Sequence, residues 1–561
     1  MNSDKTNKTS IDLMIAPGSL ASESLALVWD KPIEYANVTG YIVYQDEVKI
    51  AQTKANKTHL TVKGLIADTI YEFRIEAVSD KAAGETAIHE NEVENEVATR
   101  PTNTSTPNLR VKTMPFGDMI DVTKAPYCAD VTGKSISTVS IQKAIEDCGA
   151  GGTVLIPKGA VILTGAIELK SDMTLQVDGM LKGSLDPSDY IIKKGSNYKG
   201  LVNEDGLILT RYEGWEMYCY RSLINAGYLN PDNRMEMTCE NLRICGEGTI
   251  YGGGNELGTE MKKLYADKDK YPEYVSDGIP GRRIRGRLLG FIQCKNVQLT
   301  GVSIENPSCW TVHMIYCDTF TTHGVNIKSR GIDNGDGWDP DSSRNLMIFD
   351  TTFDTGDDCI AIKSGKNPDG NKVNLPTKNV RIFDLKMLGG NGMAIGSEQS
   401  GGVEGIYMRD CVIQNTRYGL ELKAHNSRGG YIKDLYMVDC VIDRFMAHSV
   451  NYNADGTAAP TLPYFKDIVI KNTTIDGTGR AVELIGFTEE GQDKIEDHYV
   501  HEVLLENVIL GNKKDETKEI YMKACHDIIF KNVKLCNGKE PEYTIDEATV
   551  FDVQKVDVKS L

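Results

Sequence analysis

Two acidic clusters with glycines beside them stand between residues 330 and 365. The first is Asn334-Gly335-Asp336-Gly337-Trp338-Asp339-Pro340-Asp341 and the second is Thr355-Gly356-Asp357-Asp358-Cys359. Adjacent aspartates in a straight strand face opposite ways, but at a bend both point outward. Packed carboxyls repel, so at least one keeps its proton beside ionised neighbours. A protonated acid to supply the leaving oxygen, opposite a carboxylate that activates water, is the equipment for breaking a glycosidic bond, and a gap of about 6.5–9.5 Å between the two gives inversion. Two other readings of these residues stand beside that one. Asp and Gly are favoured turn residues, so Asn-Gly-Asp-Gly alone marks only a turn, and an Asp-rich edge also suits Ca²⁺.

The elements that must position these clusters repeat. A unit with apolar residues at its second, fourth, seventh and ninth positions starts at Asn296, Asn345, Asn379, Gly405, Asp434, Asp467, Glu502 and Asp527, with a weaker copy at Thr319. Starts lie 23–35 residues apart, and short alternating runs in each unit make this a β-solenoid. The irregular spacing lacks the Leu-x-x-Leu-x-Leu consensus of a leucine-rich horseshoe. A right-handed, single-stranded parallel β-helix is therefore expected, with loops after equivalent strands gathered along one edge. Asp336 then sits about one coil from Asp357 and Asp358. The spacing of Ser140 to Cys148 predicts a helix that caps the first coil.

Residues 15–100 read differently. Leu25-Ala26-Leu27-Val28-Trp29, Gly40-Tyr41-Ile42-Val43-Tyr44 and Ile70-Tyr71-Glu72-Phe73-Arg74-Ile75 are short alternating strands, the pattern of a β-sandwich resembling a fibronectin type III module. Residues 101–112 are expected to be a linker and 113–561 the β-helix. The chain of 561 residues has 80 acidic and 62 basic side chains, a formal charge of −18, which argues against nucleic acid and anionic membrane as partners. The 13 cysteines sit in apolar runs, no signal-like start is present and no stretch approaches a membrane span, so a cytoplasmic protein is expected, or a secreted one if a signal has been removed. The nine histidines are scattered, and neither a metal nor a cofactor is expected. His313 reads as a core histidine, Arg285-Gly286-Arg287 as a solvated loop or else part of a cleft floor, and Arg211 to Arg221 as an aromatic and basic loop that stacks on sugars, closes one end of a cleft or, equally, only packs.

Beyond the acidic clusters, the chain carries Asn306-Pro307-Ser308-Cys309-Trp310, Ile360-Ala361-Ile362-Lys363-Ser364-Gly365, Ile395-Gly396-Ser397-Glu398 and Arg428-Gly429-Gly430-Tyr431. In this order and spacing they resemble the pectin-cleaving polygalacturonase family, glycoside hydrolase family 28, from about Asp118 to the last coils. The resemblance implies an inverting, exo-acting hydrolase of galacturonic-acid-containing pectic oligosaccharides, with Asp357 as general acid and Asp336 and Asp358 activating water. It implies substrate contacts at Asn334, Asn391, Glu421, Lys423, Arg428 and Tyr452. Three positions depart from the family pattern: Gly335 replaces the Thr of Asn-Thr-Asp, Asn391 the His of Gly-His-Gly, and Glu421 the Arg of Arg-x-Lys. A carboxylate at 421 repels a galacturonate unless it turns away, is neutralised or receives a sugar hydroxyl. It therefore favours an alternative in which the leaving-side sugar is not galacturonate, as in rhamnogalacturonan-type linkages. A non-catalytic sugar-binding relative and a Ca²⁺-dependent lyase remain as lesser alternatives.

Overall fold

The computed structural model describes residues 11–32, 35–79, 101–105, 107–452, 454–489, 494–513 and 517–556. The chain divides into two units, Met1–Gly117 and Asp118–Leu561.

The first unit is a two-sheet β-sandwich. Leu13–Ile15, Ser24–Trp29 and His59–Lys63 form one antiparallel sheet, and Val48–Lys54, Val38–Gln45, Ile70–Ser79 and Pro101–Ser105 the other. Alternation along the strands sends Leu25, Leu27, Trp29, Tyr41, Phe73 and Ile75 into one core, where the rings of Trp29 and Tyr41 meet edge to face at 5.5 Å. The expected linker at 101–112 is corrected here: Pro101–Ser105 and Leu109–Lys112 both pair with Ile70–Ser79. Its polar composition misled because Pro101–Ser105 is an edge strand, where proline and polar residues are tolerated. Val111 in the second strand reaches the sandwich core. Residues 80–100, which the sandwich reading also included, lie outside the described residues.

The second unit is a right-handed parallel β-helix, built from a 22-stranded and a 12-stranded parallel sheet. Each coil supplies a bent strand pair to the first and one strand to the second. Arg344–Asp354, for example, pairs with Asp318–His323 before its bend and with Asn326–Lys328 after it. The corners explain the repeat. The residues that start the units have left-handed backbone, with φ from 53° to 61° and 70° at Gly405. Asn, Asp and Gly are the residues that tolerate this conformation, so they recur there. Asparagine side chains bridge successive corners, Asn296 to Asn241 at 2.7 Å and Asn379 to Asn345 at 3.1 Å. Between corners, inward Val, Ile, Leu and Cys fill one continuous core along the cylinder. Eleven of the 13 free cysteines are buried, and Cys128 and Cys536 are exposed. The helix Thr138–Asp147 places Ile141, Ala144 and Ile145 against the first coil, as the sequence spacing predicts. Among the described residues, no helix is long and apolar enough to cross a membrane.

Candidate active site

Three neighbouring strands of the 12-stranded sheet, Val312–Ile315, Trp338–Asp341 and Asp358–Ile362, bring the two acidic clusters into adjacent coils. The N–H of Gly337 donates to the Asp358 carbonyl at 2.9 Å, and that of Thr311 to the Asp336 carbonyl at 2.8 Å. A Cβ at Gly337 would lie 2.4 Å from the Cys359 carbonyl oxygen, so only glycine lets the coils close here. Trp338 and Ile360 point into the core. The pleat therefore turns Asp339, Asp341 and Lys363 onto the outer face of the sheet.

Lys363 is the centre of this face. Its ammonium lies 3.6 Å from Asp336, 3.6 Å from Asp339 and 3.4 Å from Glu398, over the ring of Trp310 at 4.5 Å. One cation among three buried carboxyls cannot keep all of them ionised. Burial, then the charges of Asp339, Asp357 and Asp358, raise Asp336 well above the usual carboxylate range. Burial likewise pushes Asp339 to about 7 against the pull of Lys363. Glu398 goes the other way: against the burial that opposes it, Lys363, Lys366, Arg428 and Lys423 hold it down to about 2. The Asp336 and Asp339 carboxyls are thus biased toward the protonated form while Glu398 carries charge.

Asp357 and Asp358 sit at the bend before Asp358–Ile362 and point differently. Asp358 is buried, with Lys423 at 3.4 Å, and burial pushes it to about 6 with Lys423 opposing. Asp357 is half-buried. Its Oδ1 accepts from the Asn391 amide at 2.7 Å and from the Asp358 N–H at 3.0 Å. Asn391, where the family resemblance places histidine, therefore positions Asp357 directly.

Strand Gly419–Ala424 turns Glu421 and Lys423 to the same face. Glu421 is neutralised: one oxygen is 3.0 Å from Lys423 and the other 2.9 Å from His448. These cations hold it below the usual carboxylate range against its burial. Tyr452 is 49% exposed, the only large exposed ring at this part of the face among the described residues. Burial, with Glu421 and Asp358 nearby, pushes its hydroxyl up to about 12.

Two expected substrate contacts have other partners. The Asn334 side-chain oxygen accepts from Arg282 at 2.9 Å and Arg285 at 2.6 Å. Arg428 is fully buried and donates to the Ser397 carbonyl at 2.9 Å and the Asn367 side chain at 2.6 Å. It braces the loops behind the face, because a guanidinium with five donors is well suited to tying several loop carbonyls together.

The segment from Arg211 to Arg221 is an ordered hairpin, Ile208–Tyr212 against Trp215–Cys219. Arg211 pairs with Asp341 at 2.9 Å, and Tyr212 stacks on Trp310 at 5.0 Å. Trp215 lies between Arg283 at 4.7 Å and Lys366 at 4.6 Å, and Asp455 bridges those two cations at 2.6 and 2.5 Å. Arg285 and Arg287 are buried in this layer rather than solvated. Arg287 lies over the rings of Tyr212 at 4.5 Å and Trp310 at 5.4 Å, and Arg285 donates to the Tyr212 hydroxyl at 3.0 Å. His313 is buried between Trp310 and Asp341, and burial lowers it to about 3, so it is neutral. At the hairpin turn, Gly214 has φ 81° and a Cβ there would lie 2.4 Å from the Lys366 backbone nitrogen. Gly214→Ala is expected to destabilise the β-helix by about 1–3 kcal/mol, read as a lower melting temperature in calorimetry, and an unchanged melt would show that the hairpin is not anchored here.

His448 joins the face although no sequence motif contains it, and Asp339, Lys363 and Glu398, which stand inside the motifs, take part there beyond any role the sequence assigns them. Strand parity carries their signal. In Ile360-Ala361-Ile362-Lys363 and Phe445-Met446-Ala447-His448 the apolar residues that enter the core leave Lys363 and His448 on the acidic face.

The outer face of this parallel β-helix gathers protonated and ionised carboxyls beside lysines, and the likeness to known proteins makes the chain a glycoside hydrolase. Residues 230–479 match the family model for glycosyl hydrolases family 28, and residues 16–90 that for the fibronectin type III domain. The chain resembles the polygalacturonases. It is 25% identical over 618 residues to an exo-poly-alpha-D-galacturonosidase of Dickeya chrysanthemi, covering 96% of this chain and 94% of that protein. A solved family 28 exopolygalacturonase from Yersinia enterocolitica shares the fold with a TM-score of 0.74 at 21% identity, over 98% of this chain and 99% of that one. A hyperthermoactive exopolygalacturonase from Thermotoga maritima superposes with a TM-score of 0.58 at 25% identity, over 78% and 91% of the two chains.

Proposed function

We propose that the chain hydrolyses α-linked galacturonide chains with inversion, releasing sugars from a chain end. The observation that carries this reading is the meeting of Asp336, Asp357 and Asp358 on one face, with Asn391 aiming the most exposed of the three. Asp357 protonates the leaving oxygen. Asp358 takes a proton from water, and Asp336, raised well above the usual carboxylate range, orients that water rather than acting as a second base. The hairpin packs on Asp341 and Trp310 beside the carboxyls, and the exo-acting character is supported by the similarity to an exo-poly-alpha-D-galacturonosidase. Such substrates appear among the similar proteins, and the lysines at 363 and 423 suit a sugar carboxylate. Because Lys423 and His448 neutralise Glu421, this residue no longer favours a leaving-side sugar other than galacturonate.

The test is incubation with oligogalacturonides, following the released sugar and its initial anomeric form by NMR. Monomer of inverted configuration is expected; a product with an ultraviolet-absorbing C=C bond, or no turnover, would overturn the reading. The pH profile adds a second expected outcome. Asp358 must be ionised to act as base, so kcat/KM should fall as pH drops through about 6, where a limb at the ordinary aspartate value would remove Asp358 from that role.

A further inference from the structure

A second cation, His448, stands beside Glu421. Strands Gly419–Ala424, Phe445–Ser449 and Val482–Ile485 run side by side, with Lys423 in register with His448 and Glu421 and Glu483 flanking it. His448 lies 2.9 Å through Nε2 from Glu421 and 2.9 Å through Nδ1 from Glu483. A neutral imidazole has a single N–H, so it would turn a lone pair toward one of these carboxylates, whereas an imidazolium donates to both. The row continues on each side. Lys423 lies between Glu421 at 3.0 Å and Asp358 at 3.4 Å. Arg480 lies between Glu483 at 2.8 Å and Glu519 at 2.9 Å. Seven groups of alternating charge therefore run from the candidate base, Asp358, through Lys423, Glu421, His448, Glu483 and Arg480 to Glu519.

We infer that His448 is a positioning residue that acts as an imidazolium, holding Glu421 so that Lys423 remains shared with Asp358, and that loss of its proton switches cleavage off at alkaline pH. When the proton leaves, Glu421 keeps only Lys423 as a cation. It draws Lys423 from Asp358 and presents a net negative charge to a sugar carboxylate. The charged groups that face His448 are Glu421 and Lys423 on one neighbouring strand and Glu483 on the other, with Arg480 behind Glu483. Against its burial, the two glutamates raise His448 above the usual imidazole value, and Glu483, bonded to His448 and Arg480, is held down to about 2.

The inference rests on the hydrolase reading, and its test separates the two. kcat/KM is measured against pH on an aryl galacturonide with an acidic leaving group, whose departure needs no proton from Asp357, for the full chain and for His448→Gln, Glu483→Gln and the double variant Glu421→Gln/His448→Gln. In the wild type kcat/KM should fall as pH rises through the raised His448 value. His448→Gln should lose about 10²-fold below that limb and lack the limb itself. Glu483→Gln should move the limb down by about one pH unit. The double variant should regain at least tenfold over His448→Gln, because no carboxylate remains to be neutralised. A wild-type limb retained in His448→Gln, or a double variant no better than His448→Gln, overturns the inference. If His448→Gln does not fold, the Glu483→Gln limb decides alone, an unmoved limb counting against it. A wild type without turnover would defeat the hydrolase reading instead. The imidazolium is then read from thermal unfolding: a raised histidine stabilises fully below its unfolded value and loses that contribution as pH rises through the folded one. The melting-temperature excess of wild type over His448→Gln should be largest near pH 5.5 and shrink on the alkaline side, and an excess independent of pH overturns the inference.

Discussion

Asp357→Asn is expected to lower kcat on oligogalacturonides by about 10²–10⁴-fold, the usual contribution of a positioned proton donor, with an unchanged melting temperature. The geometry separates the two effects. The carboxyl oxygen at 357 accepts from Asn391 at 2.7 Å and from the Asp358 N–H at 3.0 Å, and an asparagine oxygen accepts both bonds equally well. What the substitution removes is the transferable proton. An aryl galacturonide with an acidic leaving group, which departs without protonation, should therefore recover most of its rate in Asp357→Asn but not in Asp358→Asn. Turnover of oligogalacturonides by Asp357→Asn within tenfold of wild type would remove Asp357 from the acid role.

Lys363→Met is expected to cost about 3–5 kcal/mol at pH 7, the usual effect of stranding buried charge, and to abolish measurable activity. The lysine side chain is 5% exposed and serves Asp336, Asp339 and Glu398 at once. Methionine fills the space over Trp310 and leaves three carboxyls with their nearest cation gone. The sign of the pH dependence follows from Glu398, which is held down to about 2 with Lys363 as its foremost cation. A depressed carboxyl contributes stability that is present above its unfolded value and is lost as pH falls through the folded one. The deficit of Lys363→Met should therefore be full at pH 7 and shrink below about pH 4, as compared by melting curves at the two pH values. Equal melting temperatures for variant and wild type at pH 7 would show that Lys363 does not stabilise the cluster.

Much of this arrangement was legible in the residues themselves. The unit starts at Asn296, Asn345, Asp434 and their equivalents are the left-handed corners of the coils, and so the sequence period reported the coil directly. Asp336 and the Asp357–Asp358 pair follow strands one unit apart, and adjacent coils bring them together. Harder to read were segments whose chemistry depends on who lies beside them. Pro101–Ser105 looks like a linker until it pairs at a sheet edge, and Arg287 looks solvated until Tyr212 and Trp310 cover it. Arg428 looks like a substrate ligand until its donors are seen to hold neighbouring loops.

Local periodicity, corner residues and the order of the acidic motifs are short-range properties, and by themselves they determined the solenoid, the sandwich before it and which aspartates form the candidate site. The state of those aspartates is a long-range property, decided only by the tertiary structure. Glu421 and His448 are 27 residues apart in the chain and Lys363 and Glu398 are 35 apart, yet each pair is in contact. Stacking of coils at about 4.8 Å puts such residues within reach of one another, and at that distance in a buried setting one ammonium or imidazolium decides which carboxyls ionise and which keep a proton.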